Sequence, residues 1–277
     1  MTINLRSEGA KRRELATQLR ISLTMERTLK QRVRKEIRRV GMVAATNYRH
    51  SGSVSLDPQH IGNLAKVLHA HYLVTAKLFG RRVLKSIRKK EKSSDDITLW
   101  GFGPEEIKAT EAQFLAAVLK FAEKQTASRV KHISNTTREQ IKGVVARGIS
   151  EGLGIPDIAS MIEDSTSSIS LSRAETIART ETHMASQQGS MLAAESLEVP
   201  MLKEWVSAED ERTRPTHSDA NGRQAKQGEP FRIGDSNLDF PGDPNGAPEE
   251  VINCRCVVTF IVDETELDRQ LGLNTEP

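Results

Sequence analysis

The residues best suited to chemistry gather late in this 277-residue chain. The stretch VINCRCVVTF, residues 251–260, holds its only two cysteines, Cys254 and Cys256, with Arg255 between them. Three kinds of chemistry are open to such a pair. On an extended strand, residues two apart face one side roughly 7 Å from each other, so both thiolates could reach one tetrahedral zinc after modest adjustment. His217 would then be a third ligand and Asp210 or Asp219 a fourth, although structural zinc knuckles usually space their cysteines more widely. As a redox pair the two would form a strained, easily reduced disulfide. As small hydrophobes they would pack on a strand beside Arg255, which would brace a loop.

Other polar residues cluster nearby in the order W-x4-D-x-R-x-R-x2-H, namely Trp205, Asp210, Arg212, Arg214 and His217. An active site could be built from them, with His217 as acid or base and the arginines clamping phosphate. The chain has no Walker loop, no HExxH and no nucleophile elbow, which favours a network bracing the loops. Upstream, Glu175 and Arg179 are four residues apart on an expected helix, the spacing of a surface ion pair.

The segments ARTE (178–181), WVSAEDERTRPTHSDANG (205–222), PGDP (241–244) and INCRC (252–256) resemble the phage Mu F-like minor head protein family, also called phage head morphogenesis proteins. The resemblance runs over about residues 130–263. It implies a minor capsid component of a tailed bacteriophage, lying in the head interior or at the portal vertex. Portal or major capsid protein would be its partners, with non-specific contact to double-stranded DNA and a role in genome packaging or ejection. It also implies that Arg179 and Glu181 tie their helix to the later strands, in a structural network with Trp205, Asp210, Arg212, Arg214, Asn253 and Arg255. A non-enzymatic protein is expected, with no cofactor unless zinc is bound. The alternative is a phage-encoded nuclease or ADP-ribosyltransferase-like enzyme centred on Arg179, Glu181, Arg214 and His217.

These residues need elements to hold them. Residues 10–45 carry apolar side chains at three- and four-residue steps between arginines and predict an amphipathic basic helix. Asp57 ahead of Pro58 predicts the cap of a second helix over 59–91, and residues 92–104 predict a break. Separate helices are expected over 105–130, 135–152, 155–164 and 170–196. Beyond residue 198 glycine and proline become frequent, and strands are expected at 201–208 and 254–262, joined by a long loop that would need pinning. The fold class is therefore α+β, with a mostly helical N-terminal portion and a small α+β C-terminal domain. The domain boundary is set at residues 1–129 and 130–277.

Charge is distributed unevenly. Residues 1–92 carry 22 Lys and Arg against 6 Asp and Glu, a balance of +16, while the remainder of the chain is at −13. Such a surplus suits a phosphate backbone read without sequence preference. The expected DNA-contacting set is Arg12, Arg13, Arg32, Arg34, Arg38, Arg39, Arg81, Arg82, Lys85, Arg88, Lys89 and Lys90. A second use for the same helix is protein docking through the apolar stripe Leu15, Leu19, Leu29, Val33 and Ile37. No stretch of about 18 uncharged apolar residues occurs and the first residues lack a signal-like run, so synthesis in a reducing host cytoplasm, with free thiols, is expected.

Overall fold

The computed structural model of the protein describes residues 7–54, 58–91, 104–270 and 272. The expected cap at Asp57 and break over 92–103 lie outside the described residues, as do the side chains of Arg88, Lys89 and Lys90.

Four long helices dominate: α1 (Glu8–Ser51), α2 (Pro58–Glu91), α3 (Pro104–Ser150) and α4 (Ile155–Glu195). Ser7 caps α1, its Oγ and its carbonyl sharing the Ala10 N–H of the first turn. Gly152, at φ +72, closes α3, where the Gly152 N–H reaches the Ile149 carbonyl and the Leu153 N–H reaches that of Gly148.

The sequence predicts four helices over 105–196, but there are two. The two false gaps contain no proline or glycine, and the serines and threonines in and beside them bond back onto their own helix instead of ending it. Thr137 and Thr166 donate to the carbonyls four residues earlier, Ile133 and Ile162, at 2.8 and 2.7 Å.

The late region is α+β, as expected. Strands β1 (Met201–Val206), β2 (Gln224–Lys226) and β5 (Val257–Val262) form an antiparallel sheet in the order β2-β1-β5, with Trp205 opposite Val258 and Val206 opposite Val257. A separate hairpin pairs β3 (Phe231–Ile233) with β4 (Ser236–Leu238) through a tight turn at Gly234 and Asp235. Short helices α5 (Pro215–Asp219), α6 (Pro248–Val251) and α7 (Glu264–Gln270) complete it. Two expectations are corrected here. The last strand begins at Val257, so both cysteines precede it, and the long connection is structured by α5, β2, β3, β4 and α6.

The chain divides into two compact units, residues 1–23, 73–119 and 180–277, and residues 24–72 and 120–179. In the first unit, Leu15 and Leu19 of α1 pack on Val206 and Val257. In the second, Ala44, Ala45 and Tyr48 of α1 meet Ile141 and Val144 of α3 and Ile158, Ala159 and Ile162 of α4. The expected docking stripe is mostly spent on such packing. Leu15, Leu29, Val33 and Ile37 are buried within the chain and offer no free face.

Candidate functional site

Strand β1 supplies the floor of the site. Its Trp205 is fully buried and meets the His217 ring edge to face at 5.2 Å and the Phe231 ring at 5.6 Å. His217 sits on α5, whose first residue is Pro215, a favoured start for a helix. The carbonyl of Ile252, two residues ahead of Cys254, accepts a hydrogen bond from Arg214 Nη2 at 2.6 Å. Asn253, at φ 60, turns the chain there, and its N–H donates to Thr180 Oγ1 on α4. A left-handed residue between a helix end and Cys254 is what replaces the expected extended strand.

That turn brings the two sulfurs to one imidazole. His217 Nδ1 lies 3.4 Å from Cys256 Sγ and 3.6 Å from Cys254 Sγ. On its other side, His217 Nε2 lies 3.0 Å from Glu250 Oε2, which also accepts a hydrogen bond from Thr216 Oγ1 at 3.0 Å. His217, Cys254 and Cys256 are each no more than 2% exposed. Burial pushes the Cys254 thiol well up, with the neighbouring Cys256 adding to the effect. Cys256 is lowered instead, first by its hydrogen bond with Cys254 and then by that with His217.

Around this centre Asp210 acts as a hub. Its Oδ1 accepts from the Arg212 backbone N–H at 3.0 Å, from Thr213 Oγ1, and from Arg255 Nη2 at 2.6 Å. Asp210 and Asp219, the expected fourth ligands, do not join the three donors, which among the described residues stand as a group of three. Of the expected network, Trp205, Asp210, Arg212, Arg214, Asn253 and Arg255 all lie in the first unit with His217. Glu181 is buried there on α4. Arg179 belongs to the second unit, where it pairs with Glu175 at 2.9 Å and Glu26 at 3.9 Å.

Other residues with equal claims carried little or no signal of their role in the sequence. Glu250, buried on the four-residue α6, had no signal beyond its helix. His183 is buried on α4, its pKa is lowered to about 4 chiefly by burial, and its Nε2 has no hydrogen-bond partner. Gly242, at φ +85, packs so tightly beside it that an added Cβ would lie 2.6 Å from His183 Cδ2. Its neighbour Asp243 binds the loop, accepting the N–H groups of Asp239 at 2.8 Å and Asn245 at 2.9 Å, which gives the PGDP segment its purpose. Lys203, fully buried on β1, donates to the Asp239 carbonyl at 2.8 Å and lies over the Phe231 ring at 5.0 Å. Its pKa is lowered mainly by burial.

The expected DNA-contacting residues divide by their partners. Arg12 pairs with Glu209 at 2.7 Å, Arg81 with Glu111 at 3.1 Å, and Arg82 with both oxygens of Glu14 at 3.0 Å. Arg34 is half-buried. Arg13, Arg32, Arg38, Arg39 and Lys85 are exposed and make no ion pair among the described residues.

Residues 139–259 match the family described as Phage Mu protein F like protein, the resemblance that the ARTE, PGDP and INCRC segments implied. Among curated proteins, the minor head protein GP7 of Bacillus phage SPP1 is 31% identical over 142 residues, covering 49% of this chain and 42% of its own length. The NAD(+)-arginine ADP-ribosyltransferase EFV of Enterococcus faecalis is 28% identical over 145 residues, 51% of this chain and 29% of its own length. The uncharacterized protein YqbB of Bacillus subtilis is 29% identical over 144 residues, 50% of this chain and 46% of its own. The chain thus spans less than half the length of each of these relatives. No solved structure matches it.

Proposed function

We propose that this protein is a minor head protein of a tailed bacteriophage, built into the head or its portal vertex and acting in head morphogenesis and genome delivery. The observation that carries this reading is the Mu F-like match over residues 139–259, together with the likeness to a minor head protein over about half of the chain. The site geometry favours a structural over an enzymatic role. Both ring nitrogens of His217 are engaged, its side chain is buried, and Arg214 is committed to the Ile252 carbonyl, so neither is poised for a substrate. The likeness to an ADP-ribosyltransferase covers less than a third of that protein and does not carry its activity to this chain.

Non-specific DNA contact is part of the proposal and rests on charge. The arginines held by carboxylates are neutralised where they stand, so the exposed Arg13, Arg32, Arg38 and Arg39 of α1, with Lys85 of α2, are the residues assigned to phosphate. Quantitative peptide mass spectrometry of mature particles and empty procapsids, scaled to portal and major capsid protein, tests the assignment. A few copies per portal ring in both supports it, and absence from both overturns it.

A further inference from the structure

We propose that His217, Cys254 and Cys256 bind a single zinc ion that holds the first unit's long connection closed. The inference stands on the side-chain geometry and is independent of the minor head reading.

Zinc bonds thiolate sulfur at about 2.3 Å and imidazole nitrogen at about 2.0–2.1 Å, so in a tetrahedron the nitrogen and each sulfur are separated by roughly 3.5 Å. The two distances from His217 Nδ1 to sulfur, 3.4 and 3.6 Å, bracket that value. All three donor atoms lie within 4.8 Å of one another. A simple thiol–imidazole hydrogen bond accounts for one such contact, because one nitrogen lone pair accepts one hydrogen well. The Cys254–Cys256 hydrogen bond draws the second sulfur close to the first, but a shared cation accounts for both sulfurs lying at near-equal distance from one nitrogen.

The surroundings are those of a metal ligand. Glu250, itself fixed by Thr216, lies at His217 Nε2, and with the ring proton on that nitrogen the Nδ1 lone pair faces the sulfurs. A carboxylate behind the imidazole is the usual outer partner of a metal-bound histidine. Soft thiolates with imidazole select zinc over calcium or magnesium. Binding would release the protons remaining on the thiols, and four-coordination would take one further donor, which no described His, Cys, Asp or Glu supplies. A catalytic Cys256–His217–Glu250 relay would use the same distances, but its nucleophile and base, Cys256 and His217, are buried away from any substrate.

The consequence is mechanical. His217 lies at one end of the connection through β2, β3 and β4, and the cysteines lie at the other. One ion would join α5 to the turn before β5 and so clasp both ends.

The test is metal analysis of the full chain purified after zinc-supplemented expression. One zinc per chain is expected, absent from Cys254→Ser, Cys256→Ser and His217→Ala variants. Because those variants could fail to fold, two further measurements use folded protein. Cobalt exchanged into the wild type should show thiolate-to-cobalt charge transfer and the visible bands of a tetrahedral site. Glu250→Gln should keep the ion but bind it roughly ten- to a hundredfold more weakly. Zinc-free wild type that also gives no cobalt spectrum would overturn the proposal, as would an intact mass showing a Cys254–Cys256 disulfide in protein loaded with zinc.

Discussion

Gln187 of α4 accepts the backbone N–H of Val258 through Oε1 at 2.8 Å, in a fully buried position, and its Nε2 donates to Gln18 of α1 at 3.2 Å. Strand β5 is an edge of its sheet, so the donors that face away from β1 need a partner elsewhere. One amide side chain thereby ties two helices to a strand edge. Gln187→Met keeps the volume but strands the Val258 donor, and should cost about 1–3 kcal/mol in urea denaturation. An unshifted midpoint would mean that the donor finds another acceptor.

Helix glycines are ordinarily improved by alanine, by about 1 kcal/mol. Gly189 of α4 should behave oppositely. An added Cβ would lie 2.5 Å from the Ala76 Cα and meet that residue's carbonyl, which is backbone and cannot swing aside. Gly189→Ala is expected to destabilise by roughly 1–3 kcal/mol, read as a lower Tm. Gly143→Ala, with open space at the same atom, is the internal control and should raise it. Matching shifts in the two variants would refute the close approach.

His71 is buried on α2, and burial, with a smaller contribution from Arg32, lowers its pKa from 6.5 to about 4. Above pH 6.5 the folded and unfolded chains are both neutral at this ring, and stability is at its full value. Below 6.5 the unfolded chain takes up a proton that the native ring refuses, so stability falls with pH until about 4 and then levels. The loss is on the order of 3 kcal/mol across that window. His183 titrates in the same sense. Denaturation of wild type and His71→Gln at pH 7 and pH 5 should show the smaller pH dependence in the variant; parallel behaviour would count against it.

Charge reversal separates the arginines. Arg38→Glu combined with Arg39→Glu should weaken binding to a random-sequence duplex and lower the slope of log affinity on log salt by about 2, one unit for each phosphate no longer neutralised. Arg81→Glu, whose parent already pairs with Glu111, should change the slope far less. Equal effects would mean that DNA does not favour α1.

The sequence carries its long-period information well and its short-range turns poorly. The alternation of arginine with Leu29, Val33 and Ile37 is a helix pattern that any environment would respect, and α1 formed as that pattern directs. The false breaks in α3 and α4 arose because serine and threonine read as loop formers until one sees their hydroxyls on the carbonyls behind them. Residues of the cysteine turn were legible by type, since His217, Cys254 and Cys256 stood out as scarce ligands. Their arrangement was not, because a single left-handed Asn253 decides where both sulfurs point. Glu250, Gln187 and Lys203 were invisible for a related reason. Each makes a key bond to a partner more than 30 residues away, and no local pattern records that.

The interleaving of the two units sets a clock on how the protein is made. The chain passes from one unit to the other four times, and the first unit is opened by α1 and completed by β5. Leu15 leaves the ribosome about 240 residues before Val257, the side chain it packs against, which at roughly 5–20 residues per second is a wait of about 12–50 s. The second unit has all of its residues in hand by position 179 and can fold on schedule, while the apolar stripe around Leu15 and Leu19 stays uncovered until translation is nearly over. In an expressing cell that interval is when the chain is most exposed to chaperones, proteases and self-association, and a premature stop after residue 200 would make it permanent.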